Sequence, residues 1–141
     1  MRTDIVRFVS LVLMITAPLS CGGPGKAGPV SLVSIISNPE DYLGAEVTVV
    51  GYHSTGLEPP VLYLSEAHAR VSDWPSGVLL YETVDGRRFS SLTGCHDQYV
   101  KVIGRFTKLP TGEPGISEIT RVVALGSGAG DSRICFEGAG T

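Results

Sequence analysis

The chain carries little charge, few aromatic rings and no apolar run of the length that crosses a bilayer. Charged residues make up 18% of its 141 residues and aromatics 7%, while glycine (18) and proline (9) are abundant. That balance suits a turn-rich β domain, most simply one domain with short segments outside it. Basic excess is also missing, with 11 Lys and Arg against 14 Asp and Glu, for a formal charge of −3. Polyphosphate partners favour basic surfaces because binding releases counterions, so nucleic acid is disfavoured. The apolar run from Phe8 to Ala17 falls well short of the roughly twenty residues a membrane helix needs.

Motifs for catalysis are equally thin. No Gly-x-Ser-x-Gly elbow is present. Cys95-His96-Asp97 has the residue types of a nucleophile, a base and an orienting acid, but neighbouring side chains on extended backbone diverge and cannot converge as a triad. Ser65 and His68 fit a helix N-cap and a surface histidine better than an enzyme. His53, His68 and His96 are scattered, without the close spacing of a structural zinc site. Gly126 to Gly130 resembles a phosphate loop but lacks the helix whose N-terminus would hold an anion. The expectation is a non-enzymatic protein with no cofactor and no metal, the alternative being a small-ligand or metal-binding periplasmic domain.

What is present begins with an address. Residues 1–20 hold Arg2 and Arg7, the apolar run, then Pro18-Leu19-Ser20 before Cys21, which are the marks of a secretory signal. The segment resembles a bacterial lipoprotein signal, with Cys21 as the lipid attachment residue. Where that signal usually has leucine, three residues before the cysteine, this chain has Pro18. Residues 21–29, rich in glycine and proline, read as a flexible tether. The expected location is the cell envelope, anchored in the membrane through lipid on Cys21 and facing the periplasm; secretion is the alternative. In that oxidising compartment the remaining pair, Cys95 and Cys135, forms a candidate disulfide closing a loop of about forty residues.

Two stretches echo each other, Val47-Thr48-Val49-Val50-Gly51 and Val100-Lys101-Val102-Ile103-Gly104. Each alternates and ends on a glycine, which in a strand commonly marks a bulge or corner. Before them, Leu32, Val33, Ile35 and Ile36 give an apolar stripe at helical spacing, broken at Asn38-Pro39. Further strands are expected at Val61–Leu64, Gly77–Thr83 and Ile116–Leu125, with a turn of helix at Glu66–Arg70. The reading is a mainly β, five-stranded Greek-key barrel over 30–125, plugged by a short N-terminal helix. A Gly-rich tail over 126–141 is expected to be loose apart from Ile134-Cys135-Phe136.

The order Val30-Ser31-Leu32, Asn38-Pro39, Tyr42, Gly44, Val47, Val49, Gly51, Leu62-Tyr63-Leu64-Ser65, Tyr99-Val100, Val102, Gly104, Phe106, Gly112 and Ile119 resembles a group of small exported bacterial OB-fold proteins, lipoprotein-like and largely without assigned function. The likeness covers nearly all of the domain and implies a fold and a compartment. Cys95 and the long tail depart from it. OB-folds bind on the outer surface of strands two and three and on neighbouring loops. With Leu62, Leu64, Val78 and Leu80 inward, Tyr63 and Tyr81 would face outward side by side, as a candidate binding face for an envelope protein or a small ligand. The competing account is a cross-strand pair that simply stabilises the sheet. Trp74 reads as a lid over that face or as an anchor of its loop in the core, the anchor being the expectation.

Overall fold

The computed structural model describes residues 28–54, 60–81, 95–126, 128 and 130–138. Residues 1–27, including the signal, Cys21 and most of the tether, lie outside the described residues, as does the expected end of the third strand at Thr83.

Helix α1 (Leu32–Ser37) buries Leu32 and Ile35, three residues apart and so on one face. It stops before Pro39, since proline disfavours the helical region for the residue preceding it; Asn38 sits at φ −138° and ψ 63°. A 3-10 turn over Pro39–Tyr42 follows. Gly44, at φ +81°, then swings the chain into the first strand with its N–H on the Phe106 carbonyl at 2.7 Å.

The strands are β1 (Glu46–Ser54), β2 (Val61–Tyr63), β3 (Gly77–Leu80), β4 (Gln98–Lys108), β5 (Pro114–Leu125) and β6 (Ser132–Glu137). Helix α2 (Glu66–Arg70) and a 3-10 turn over Trp74–Ser76 join β2 to β3. β1 pairs antiparallel with both β2 and β4, β2 with β3, and β4 with β5; a short parallel pairing of β3 with β5 closes the barrel. This is the OB-fold-like connectivity expected from the sequence.

Alternation sends every second residue of β4 inward, giving Val100, Val102, Gly104 and Phe106 to the core. They meet Val47 and Val49 of β1, Leu62, Val78, Leu80, Ile116 and Val122, with Leu32 and Ile35 plugging the barrel. Fully burying one such aliphatic side chain is worth about 1.5–3 kcal/mol, so the barrel interior is the main source of stability.

Both echo glycines stand where a neighbouring strand passes too close for a side chain. A Cβ on Gly51 would sit 2.6 Å from Leu62 Cγ and 2.8 Å from the Tyr63 carbonyl oxygen. One on Gly104 would sit 2.8 Å from both Ile116 Cγ2 and the Ser117 carbonyl oxygen. The corner at Gly104 belongs to its partner: Gly104 alone on β4 there faces three residues of β5, Glu118 to Thr120, and Glu118 takes φ +45° in the bulge. The bulge lets Ile119 drop into the core.

The paired segment of the tail, Ser132–Glu137, extends on both sides of the three apolar residues that the sequence set apart. Ile134-Cys135-Phe136 belongs to a sixth strand, which pairs antiparallel with β5 over Leu125 to Arg121. A register shift between Val122 and Val123 leaves Cys135 as the extra residue, and Cys135 and Phe136 pack against the core.

Candidate functional site

Tyr63 and Tyr81 do lie on the outer face of β2 and just beyond β3, but they do not form an open surface. Tyr63 is 0% exposed and Tyr81 is half-buried. They belong to a second, smaller cluster with Tyr52, Val61, Leu79, Leu109 and Ala69. The physical reason is α2, which folds back against β1 and β2 and brings Ala69 over the sheet. A buried Tyr63 ring cannot stack on a ligand, which corrects the sequence expectation for that residue. Its hydroxyl has no hydrogen-bond partner among the described residues, and burial raises its pKa. Trp74, expected in the core, is 45% exposed.

Cys95 and Cys135 stand at disulfide distance, with their Cα atoms 6.0 Å apart. Cys95 is buried, whereas His96 and Asp97 are exposed, so the three consecutive residues do not converge. Ser65 does not cap α2 through its side chain; its hydroxyl instead hydrogen-bonds His68 Nδ1 at 2.7 Å. Among the described residues, no group of three or more His, Cys, Asp or Glu is placed to hold a metal.

The residues that do converge on an open depression come from the echo strands themselves. Tyr52, one residue after Gly51, is paired directly with Tyr99 at the start of β4. Their rings meet edge to face, with centroids 5.4 Å apart and planes at 80°, the arrangement that aromatic quadrupoles favour. Tyr52 is 8% exposed and Tyr99 42%. One ring is thus fixed in the sheet and the other is offered to solvent.

Three further segments line the depression. Glu66 enters from α2, Asp97 and Gln98 from the run into β4, and Leu125 with Gly126 from the end of β5. The depression has a volume of about 600 Å3 and is shallow, open to solvent over most of its extent. Burial raises the Tyr52 pKa first, and the nearby Glu66 and Asp97 carboxylates raise it further, against a smaller opposing effect of Arg70. The phenol therefore stays protonated in a negative field. Glu66 is bound by Arg70 one helical turn on, Nε to Oε1 at 3.0 Å. The Tyr52 hydroxyl and the Asp97 carboxylate make no hydrogen bond or ion pair among the described residues.

The wall bearing Asp97 is held from behind. His53 follows Tyr52 on β1, so its side chain points inward; it is 2% exposed, with Nδ1 donating to the Cys95 carbonyl at 2.8 Å. Cys95 is also the residue that faces Cys135 on β6. Two attachments thus fix the backbone immediately before Asp97, and Asp97 itself takes φ +54° to turn into β4. Aromatic surface, carboxylates and backbone at Gly126 suit reversible binding of a polar or charged group.

Sequence reasoning missed this site because Tyr52 and Tyr99 were absorbed into the barrel pattern. The signal was available: if β1 pairs with β4, the tyrosines next to the two echoes fall opposite one another. No protein-family model matches the chain and no curated protein is similar to it, so the groove is read from its chemistry.

Proposed function

We propose that the protein is a non-enzymatic binding module of the cell envelope, an OB-fold-like domain held at the membrane by lipid on Cys21, with the Tyr52–Tyr99 groove as its contact site. The observation that carries this reading is the juxtaposition of an exposed ring, Tyr99, with two polar groups that make no hydrogen bond or ion pair among the described residues, the Tyr52 hydroxyl and the Asp97 carboxylate. Polar atoms left without partners at a rigid, aromatic surface are what a ligand's hydrogen bonds would satisfy. The groove's open side favours a segment of a larger partner over an engulfed small molecule. The basic start, apolar run and Cys21 support the address.

A photo-crosslinking residue at position 99 tests the contact. Introduced in the full chain in its own envelope, it is expected to give a discrete adduct. The same residue at Val33, an exposed site on α1, is expected to give none. Equal labelling at both positions, or none at 99, overturns the groove as the contact site.

A further inference from the structure

Resting on that reading, we infer that the groove recognises a cationic group, the ammonium or guanidinium of a lysine- or arginine-bearing peptide segment, seated between Asp97 and the face of Tyr99.

Three features select a cation over other chemistry. Asp97 and Glu66 flank the rings, and Asp97 has no countercharge among the described residues. An anion would meet the Asp97 carboxylate, whereas Glu66 is already paired with Arg70. Tyr99 presents exposed aromatic surface next to Asp97, so a cation there meets a carboxylate and the negative face of a ring together. Tyr52, 8% exposed, lines the same depression, and its hydroxyl, which makes no hydrogen bond among the described residues, can exchange water for a ligand's hydrogen bond. A neutral sugar could use the ring and the hydroxyl, but it would leave Asp97 uncompensated.

The chain already shows the pairing in miniature. The guanidinium of Arg70 rests on Glu66, yet both side chains are largely exposed, so this ion pair is weak and exchangeable. Lys101 lies two residues along β4 and so on the same face as Tyr99. Its charge disfavours a cation at that end and places the ligand at the Asp97 end. The whole chain's formal charge of −3 adds a mild attraction for a basic partner.

The test is an NMR titration of the intact domain with an acetylated, amidated Gly-Lys-Gly-Lys-Gly peptide. Saturable shifts are expected at Tyr99, Asp97 and Gly126, weakening steeply with added salt. The same peptide with both lysines acetylated is expected to bind about tenfold more weakly or not at all. Asp97→Asn is expected to weaken the lysine peptide to a similar extent while keeping the fold, since Asn tolerates the positive φ at this position. Glu66→Gln gives a second, smaller loss. Equal binding of the acetylated peptide, or unchanged affinity in Asp97→Asn, overturns the cation. Shifts at Tyr99 with a neutral chitotriose but not with the lysine peptide also overturn it, and leave the groove standing as a binding site. Silence with both probes overturns the cation and, together with a failed crosslink at position 99, the groove itself.

Discussion

Tyr52 and His53 are neighbours in sequence and serve opposite sides of the same wall. Strand alternation sends Tyr52 to the groove and His53 to the barrel interior, where it holds the Cys95 carbonyl. Burial lowers the His53 pKa first; the Cys95 hydrogen bond raises it, His96 lowers it and Asp97 raises it. Because the folded value lies below the unfolded one, near 6.5, the unfolded chain binds more protons in the interval between them. The stability His53 contributes is therefore complete above about pH 6.5 and is lost as pH falls toward the folded value. A urea midpoint that declines over this window, with the decline reduced in His53→Gln, is the expected outcome. A midpoint that rises on acidification there would contradict it. That a buried histidine stood behind the site was not legible in the sequence, where it was one of three scattered histidines.

At the scale of elements, β6 and α2 are what the sequence under-described. The glycines of the tail suggested a loose end, and local composition gave no reason for pairing beyond three apolar residues. β5 supplies the reason: past its short pairing with β3 it has a free edge, and β6 covers it. Cys135 sits at the bulge in that pairing, where its side chain can reach Cys95. Closed as a disulfide over a separation of 40 residues, the pair would contribute up to about 4 kcal/mol in the chain-entropy model. Cys135→Ser is expected to lower the unfolding free energy by up to that amount. Amide exchange should accelerate in β6 and at Asp97 while the β1–β4 ladder keeps its protection. Unchanged exchange in β6 would show that pairing with β5 alone holds the strand. Helix α2 acts in the other direction: by covering Tyr63 it removes the expected binding surface, and by presenting Glu66 it builds a wall of the groove.

For the whole molecule, the barrel places the groove at one end of the β1–β4 ladder, beside the hairpin that leads into β6. At the N-terminal side, pairing begins at Pro29, bridged to Thr48, so the last residue of the tether segment already docks on the barrel. Intact mass spectrometry of the mature protein tests the anchor. An N-terminal Cys21 carrying acyl mass is expected, and an unmodified N-terminus elsewhere would refute it. If the anchor fails and the crosslink at position 99 succeeds, the domain is a secreted binding module instead.

The sequence by itself determined the features that depend on near neighbours. Alternation in β1 and β4, the stripe of α1 and the stop at Pro39 follow from backbone sterics and burial periodicity. These rules operate within a few residues, so a single chain displays them. Tertiary structure alone decided which outward-facing residues stay open. Tyr63 and Tyr99 are both tyrosines on the outer face of a strand; one is roofed by a helix and the other stands at an uncovered end of the sheet. The echoing strands carry the barrel, as their pattern indicated. Their antiparallel register is what sets Tyr52 against Tyr99 and makes a candidate site, because that contact exists only after distant parts of the chain have paired.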